Sequence, residues 1–563
     1  MRRPTGRLEE AQMDANSAEH LQALTAAGHR PIRAASWLST ASGLVWIPQA
    51  FVIASVVGGL AADPVALPGW RPPALFALLA ALRVVLSSLA SHFAYEGAVA
   101  VKRSIRSRLI ERFASWSPLD PARPSSGAAA SLGADHVEAL EPYLSRYEPA
   151  RARLMVIPIA ILVVSAVYSW LAALILLVAG PLIPVFMAII GMRAKEASDR
   201  QLAAMLGINV YLADRLGGLQ DLRILRAEAR AGEQLETHAF DLKRATMAVL
   251  RIAFLSSAVL ELFAALGVAF VAVYIGFHLL GYFAIGTWGA PLGLREGLFI
   301  LILAPDFFAP LRDFAATYHD KAAALAAADA LAPVLEGERE ELPGTIPAAA
   351  SVARGGVVLD RVTYAYGRDG RAAIDDMSLT VAPGESVALT GPSGIGKTTV
   401  LGLVGGLAAP SSGSVSHGSP TPRIAWIGQS PHFLSTTLRN NLTLGRAGMD
   451  DAALEQAIAE AGAADVLARL PAGLSTVLGE SAQGLSGGEA QRMALARAIL
   501  ADADIILADE PTAHLDSDTA SRVTESLLTL ARGKTLVVAT HDPALARRMD
   551  RIVPILAREG ALA

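Results

Sequence analysis

Six apolar stretches constrain this 563-residue chain more than anything else in it: Trp37–Leu60, Ala74–Tyr95, Leu154–Tyr168, Leu171–Ile190, Ile252–Leu280 and Leu294–Leu311. Hydrocarbon offers no partner for backbone N–H and C=O groups, so such stretches must fold as membrane-crossing helices. Pro48, Pro158, Pro181, Pro184 and Pro305 fall inside them. They do not veto helix, because neighbouring helices can satisfy the freed carbonyls. A hydrophobic fraction of 53% with 18% charged residues agrees with a membrane protein.

Charge orients the spans. Arg30 and Arg33 precede the first, Lys102, Arg103, Arg106, Arg108 and Arg112 follow the second, and Arg193, Lys195 and Arg200 follow the fourth. Lys243, Arg244 and Arg251 precede the fifth, and Arg312 and Lys321 follow the sixth. The connections near Asp63–Arg71, Ser169–Trp170 and Gly281–Gly293 are short and poor in Lys and Arg. Positive residues stay on the cytosolic side, which places both termini and the two long connections, 96–151 and 191–251, in the cytosol. Those connections have helical composition and read as spanning helices that continue below the membrane, with turns near Pro118–Gly127 and Leu216–Leu222 that can rest on a soluble domain. Residues 1–30 form a polar tail. Arg2-Arg3 has no apolar region close behind it, so a twin-arginine signal is rejected. Cysteine is absent, which excludes disulfides, thiolate metal sites and cysteine nucleophiles within the chain. A net charge of -4 and no basic patch argue against a nucleic-acid partner.

A membrane domain thus covers 31–334. Residues 335–356 read as a linker rich in Pro, Gly and charge. From 357 to 563 short apolar runs alternate with helical segments. Val357–Leu359, Ser386–Leu389, Ile505–Leu507 and Thr535–Ala539 read as strands of an α/β domain. Gly391-Pro392-Ser393-Gly394-Ile395-Gly396-Lys397-Thr398-Thr399 fits G-x-x-x-x-G-K-[ST], a phosphate-binding loop. Its glycines let backbone N–H groups curl around phosphates, Lys397 reaches the β- and γ-phosphates, and Thr398 offers Mg²⁺ a hydroxyl. Asp509-Glu510 ends one strand run, placing a metal-holding carboxylate beside one that can polarise water. Thr540-His541 ends another, Gln429 follows the run Arg423–Ile427, and Tyr366 can stack on an adenine. Leu485-Ser486-Gly487-Gly488-Glu489 opens a helix and forms a second anion site. One chain has one P-loop, so a second phosphate-facing helix end is surplus unless it serves another subunit. That points to a head-to-tail pair of nucleotide domains.

P-loop, Gln429, LSGGE, ILADEP and His541, in that order and after six spans, resemble an ABC exporter half-transporter. The resemblance implies a six-helix membrane domain joined to an α/β P-loop NTPase domain. It makes Tyr366 the A-loop, 391–399 Walker A, Gln429 the Q-loop, 485–489 the signature, Asp509 and Glu510 the Walker B end, Ala513–Asp516 the D-loop and His541 the switch histidine. ATP and Mg²⁺ are the implied ligands, with Thr398, Gln429 and Asp509 on the metal and Glu510, His541 and Gln429 in catalysis. Glu489 departs from the Gln found in many relatives, and tolerance is expected. The membrane stretches Leu250–Glu261, Val273–Phe277, Gly286–Leu292, Leu303–Phe308 and Gly180–Phe186 are similar to CydD-type subunits of CydDC exporters. That family pairs with a CydC-like half as a heterodimer in the bacterial inner membrane. It is linked to glutathione, cysteine or haem as cargo and to cytochrome bd assembly.

Arg83, inside the second span, reads either as an anion-binding cavity residue or as the partner of Glu261 in the fifth. His92 reads as a hydrogen-bonded packing residue, Asp306 beside Pro305 as the cap of a broken helix or a cavity residue, and Trp37, Trp70, Trp170 and Trp288 as interface anchors. Rival readings are an exporter of lipid, drug or peptide, and an ATP-regulated channel or sensor.

Overall fold

The computed structural model describes residues 16–63, 69–282, 285–343, 352–367, 372–446, 448–479 and 484–555. The first half of the predicted tail and the middle of the predicted linker lie outside them. The chain divides into two compact units. One comprises residues 1–110 and 126–336, the other 111–125 and 337–563.

The first unit is helical. All six apolar stretches fall on helices, and among the described residues four are long and apolar enough to cross a membrane: Asn16–Ala62, Arg71–Ser115, Tyr143–Tyr168 and Glu228–Leu279. The helix Trp170–Gly217 contributes a shorter apolar stretch, Trp170–Ile183. The helix Leu294–Ala316 carries Arg295, Glu296, Asp306, Arg312 and Asp313 within its length. Three of these helices run 45, 48 and 52 residues. At about 1.5 Å per residue each is roughly twice the ~30 Å of hydrocarbon. The connection 191–251 is therefore two spanning helices continued around a short turn, whereas 96–151 continues the second span only as far as Ser115 and then runs through turns and short helical pieces to the helix Glu148–Tyr168. The core of the apolar spans is built on Ile161, Leu176, Val271, Phe299, Ile300, Leu303 and Phe308. Phe299 meets Phe51 and Tyr168 edge to face. Leu78, Leu82, Val84 and Val85 of the second span stay exposed, a surface that lipid accepts.

Asp306 does not cap a broken helix. Pro305 and Pro310 lie inside a continuous helix Leu294–Ala316, because a packed spanning helix tolerates the lost hydrogen bonds. His92 is exposed and faces Glu96 one turn on, at 3.4 Å, so it is not a packing residue.

The connection between the fifth and sixth spans folds back onto buried polar side chains. Ser169 Oγ donates to Gly286 O (2.7 Å) with Tyr274 Oη 3.0 Å away, and the Leu292 amide donates to His278 Nε2 at 3.1 Å. Trp288 Nε1 donates to Ala166 O (2.7 Å). Gly286 sits at φ 108°, and a Cβ there would lie 2.3 Å from Tyr274 Oη and 2.6 Å from Leu171 Cβ. Gly286→Ala is expected to cost about 1–3 kcal/mol through backbone strain and the displaced Tyr274. The check is a lower thermal midpoint of the purified, detergent-solubilised protein.

Among the described residues the second unit holds two sheets. β5 (Ile424–Ile427), β6 (Ile505–Asp509), β7 (Thr535–Ala539), β3 (Ser386–Thr390) and β8 (Arg551–Pro554) form a parallel sheet in that order. β2 (Ala372–Val381), β1 (Val357–Ala365) and β4 (Ser412–His417) form a separate antiparallel sheet. Val357–Leu359 thus belongs to the smaller sheet, not to the one carrying the P-loop. Successive residues of a strand face opposite sides. Leu507 and Val537 enter the core shared with β1, whereas Ile506 and Val538 enter the core beneath Met493 of the helix Gly487–Leu500. Residues 111–125 belong to this unit. Ser117 Oγ donates to Leu407 O (2.6 Å), and Leu119 lies against Gly402. The turn expected near Leu216–Leu222 becomes a short helix, Leu219–Ile224, with Leu216, Leu219, Ile224 and Leu225 exposed.

Candidate functional site

Register assembles the site. Asp509 pairs with Ala539, and Ala539 with Leu389, so the carboxyl ends of β6, β7 and β3 stand side by side. The next residues of each strand are Glu510, Thr540-His541 and Thr390-Gly391. Ligands bind along this edge of a parallel sheet. The P-loop leaves β3 and enters the helix Lys397–Val404 through Gly396 at φ 104°. A Cβ on Gly396 would come within 2.6 Å of Ile374 and 2.9 Å of Ala373 O, so only glycine brings the loop this close to β2.

Lys397 is buried, and its ammonium donates to Gly391 O (2.9 Å) and Pro392 O (3.1 Å), with Glu510 Oε1 at 3.6 Å. Pro392, Ser393, Gly394 and Thr398 are exposed, Ile395 and Gly396 half-buried, and Thr399 buried. Thr399 Oγ1 lies 2.6 Å from Tyr366 Oη, which places the aromatic side chain beside the P-loop helix. Glu510 has φ 46°. Its Oε2 accepts from His541 Nδ1 (2.6 Å) and from the His541 amide (3.2 Å). The imidazole therefore donates through Nδ1. This edge can hold a phosphate chain on the loop amides and Lys397, with a carboxylate–imidazole pair beside it to orient water.

Thr398 Oγ1 donates to Asp509 Oδ2 (2.8 Å), while Asp509 Oδ1 is buried with no hydrogen-bond partner among the described residues. Burial, reinforced by the nearby Glu510 charge, pushes the Asp509 carboxyl up from its ordinary value, against the Thr398 hydrogen bond and Lys397. A hydroxyl beside a carboxylate with an unsatisfied oxygen is a hard-oxygen set that fits Mg²⁺. Gln429 is exposed two residues past β5, and Gln491 Nε2 holds its turn through Gly428 O (3.2 Å).

Ser486 caps the helix Gly487–Leu500 in a complete capping box, in which its hydroxyl accepts from the Glu489 amide and its amide donates to Glu489 Oε2 (2.8 Å). Glu489 also pairs with Arg469. Burial pushes its carboxyl up, but Arg469 and the Ser486 amide hold it below the ordinary value. Ser486 and Gly487 are exposed, Gly488 is buried, and no hydrogen bond among the described residues joins Ser486 to the P-loop. Glu489→Gln keeps an acceptor for the Ser486 amide, so ATPase activity is expected within about twofold of the parent, because a pair with an exposed Arg469 contributes little. Glu489→Ala removes the box and should destabilise by about 1 kcal/mol. Melting of the two variants side by side checks both expectations.

Arg83 does not pair with Glu261. Glu261 Oε2 accepts from Arg312 (2.8 Å), and the Arg83 guanidinium stands over the Trp46 ring at 5.2 Å. Asp306 lies in the field of both arginines. Sequence reasoning missed Trp46, His278 and Tyr364, and read Arg312 only as a charge flanking the sixth span. For Tyr364 a signal existed, since it lies near the end of β1 two residues before Tyr366 in VTYAYG, a spacing that puts side chains of an extended run on one side.

The ABC transporter transmembrane region family matches residues 35–289, and the ABC transporter family matches 374–513. The transport ATP-binding protein AarD of Providencia stuartii is 34% identical over 525 residues, 91% of this chain and 89% of that protein. The glutathione/L-cysteine transport system ATP-binding/permease protein CydD of Escherichia coli K12 is 33% identical over 524 residues, 90% of this chain and 87% of that protein. The glutathione/L-cysteine transport system ATP-binding/permease protein CydC of Bacillus subtilis 168 is 30% identical over 471 residues, 82% of this chain and 80% of that protein. The chain belongs to the family of CydD- and CydC-type ABC exporters, ATP-hydrolysing membrane transporters.

Proposed function

We propose that this chain is the CydD-type half of a heterodimeric exporter that moves a small thiol, glutathione or cysteine, out of the cytoplasm. The observation that carries this reading is the similarity to glutathione/L-cysteine transport proteins along both units. The positive residues at the ends of the spans support an inner-membrane position with the nucleotide domain and both termini cytosolic.

In this reading Tyr366 receives the adenine, residues 391–399 cradle the phosphates, and Thr398, Asp509 and Gln429 would hold Mg²⁺, which neutralises phosphate charge when bound. Glu510 takes the proton of the attacking water, and His541, fixed by its Nδ1 bond to Glu510, presents its other ring edge to the γ-phosphate. Ser486, Gly487 and Gly488 act on the ATP held by a CydC-like partner, and the partner's equivalent closes the ATP held here. ATP binds the closed pair more tightly than the open one, which drives the cavity outward, and hydrolysis resets it. The exposed apolar residues of Leu219–Ile224 support a role for that turn in carrying closure from the partner's nucleotide domain.

Arg83 supplies a cation for a cargo carboxylate, and the Glu261–Arg312 pair is structural. The test is ATPase activity of the purified complex with reduced glutathione, cysteine or haem added. Stimulation by a thiol that Arg83→Ala abolishes, with basal turnover intact, is expected. Stimulation by haem alone would assign a different cargo.

A further inference from the structure

Tyr366 stands on a second tyrosine. The two rings meet edge to face, with centroids 5.2 Å apart and planes at 83°, the arrangement that the ring quadrupoles favour. Tyr364 is buried on β1, and its hydroxyl donates to Glu340 Oε2 at 2.8 Å. Glu340 in turn is held by the segment 116–123. Its amide donates to Asp120 Oδ2 (2.9 Å), and its carbonyl accepts from the Ser117 amide (2.9 Å).

Asp120 anchors the other end. It takes hydrogen bonds from Trp116 Nε1 (2.8 Å), the Ala122 amide (2.9 Å) and the Glu340 amide. Burial pushes its carboxyl up, and these donors hold it below the ordinary carboxylate range. Glu340 is placed differently. Burial and the Asp120 charge push its carboxyl up, against the Tyr364 hydroxyl. The Tyr364 hydroxyl is thus the side-chain donor on which this half-buried carboxylate relies.

We propose that Tyr364 is a positioning residue for ATP. It fixes the orientation of the Tyr366 ring and ties that ring, through Glu340 and Asp120, to the segment 116–123. The inference rests on the reading in which Tyr366 receives the adenine. The chemistry needs a tyrosine at 364. A phenylalanine would preserve the edge contact but leave Glu340 without its donor, and an aliphatic residue would remove the contact as well.

The experiment is steady-state ATPase kinetics on the full chain copurified with its partner half, comparing Tyr364→Phe, Tyr364→Leu, Glu340→Gln and Tyr366→Ala, and Tyr364→Leu combined with Tyr366→Ala. Tyr364→Leu is expected to raise the KM for ATP about three- to tenfold, the range of an aromatic pair contact, with kcat within about twofold. Tyr364→Phe and Glu340→Gln should give smaller KM increases in the same direction. These two also serve should Tyr364→Leu fail to fold. In the Tyr366→Ala background Tyr364→Leu should add nothing, because its effect runs through that ring. An unchanged KM in a folded Tyr364→Leu or Tyr364→Phe protein overturns the inference, as does an equal KM factor in both backgrounds. A normal KM in Tyr366→Ala alone removes the adenine assignment and the inference with it.

Discussion

Glu510→Gln is expected to lower ATP turnover by at least about a hundredfold, the usual contribution of a general base, while ATP stays bound. The carboxylate stands at the end of β6 in a left-handed conformation, shielded from solvent, within reach of Lys397 and bonded to both His541 donors. The amide keeps the shape and an acceptor for His541 but cannot take a proton from water. Lys397, Thr398 and Asp509 are untouched, so the groups proposed to hold the phosphates and Mg²⁺ remain in place. ATPase rate and retained nucleotide, measured on one preparation, check both halves of the expectation. Turnover within a few-fold of the parent would remove Glu510 from the role proposed for it.

Ser486→Arg should be nearly as damaging for a different reason. Ser486 makes its hydrogen bonds to Glu489 and none to this chain's P-loop among the described residues. If the helix end it caps closes a nucleotide held by the partner, an arginine there blocks the approach of that nucleotide's phosphates. Loss of one aligned phosphate donor costs about a hundredfold or more. Binding of a fluorescent ATP analogue to this chain's own P-loop should remain within about threefold of the parent, because no residue of that loop changes. Loss of hydrolysis with own-site binding intact is the signature. Equal loss of both would show that Ser486 serves its own chain.

Much of the nucleotide site was legible because its chemistry is local in sequence. The P-loop, Asp509-Glu510 and Thr540-His541 each follow a short apolar run, and parallel pairing of β3, β6 and β7 brings the three ends together. The long connections were legible as helices for a similar reason, since helical composition persists past the membrane boundary in Arg71–Ser115 and Glu228–Leu279. The antiparallel sheet was not legible. Val357–Leu359 has the same apolar character as the strands of the parallel sheet, and pairing, not composition, separates them.

Charges in the spans were legible as unusual but not in their partners. Glu261 finds Arg312 across 51 residues and Arg83 finds Trp46, contacts set by helix rotation that no spacing rule reveals. His92 was misplaced because a lone histidine in an apolar run does not disclose which face it occupies, and it turns outward beside Glu96. For Asp306 the sequence left a helix cap and a cavity residue open, and the helix Leu294–Ala316 runs unbroken through Pro305, so there is no break for it to cap.

In the proposed cycle ATP binding moves a thiol outward and hydrolysis resets the transporter, so net export needs turnover. The most direct measurement is uptake of radiolabelled glutathione and cysteine into inside-out vesicles carrying the chain together with a CydC-like half-transporter. ATP-dependent accumulation against a gradient, absent with Glu510→Gln, is the predicted result. Thiol flux that needs no ATP, or that continues unchanged in the Glu510→Gln vesicles, would contradict it.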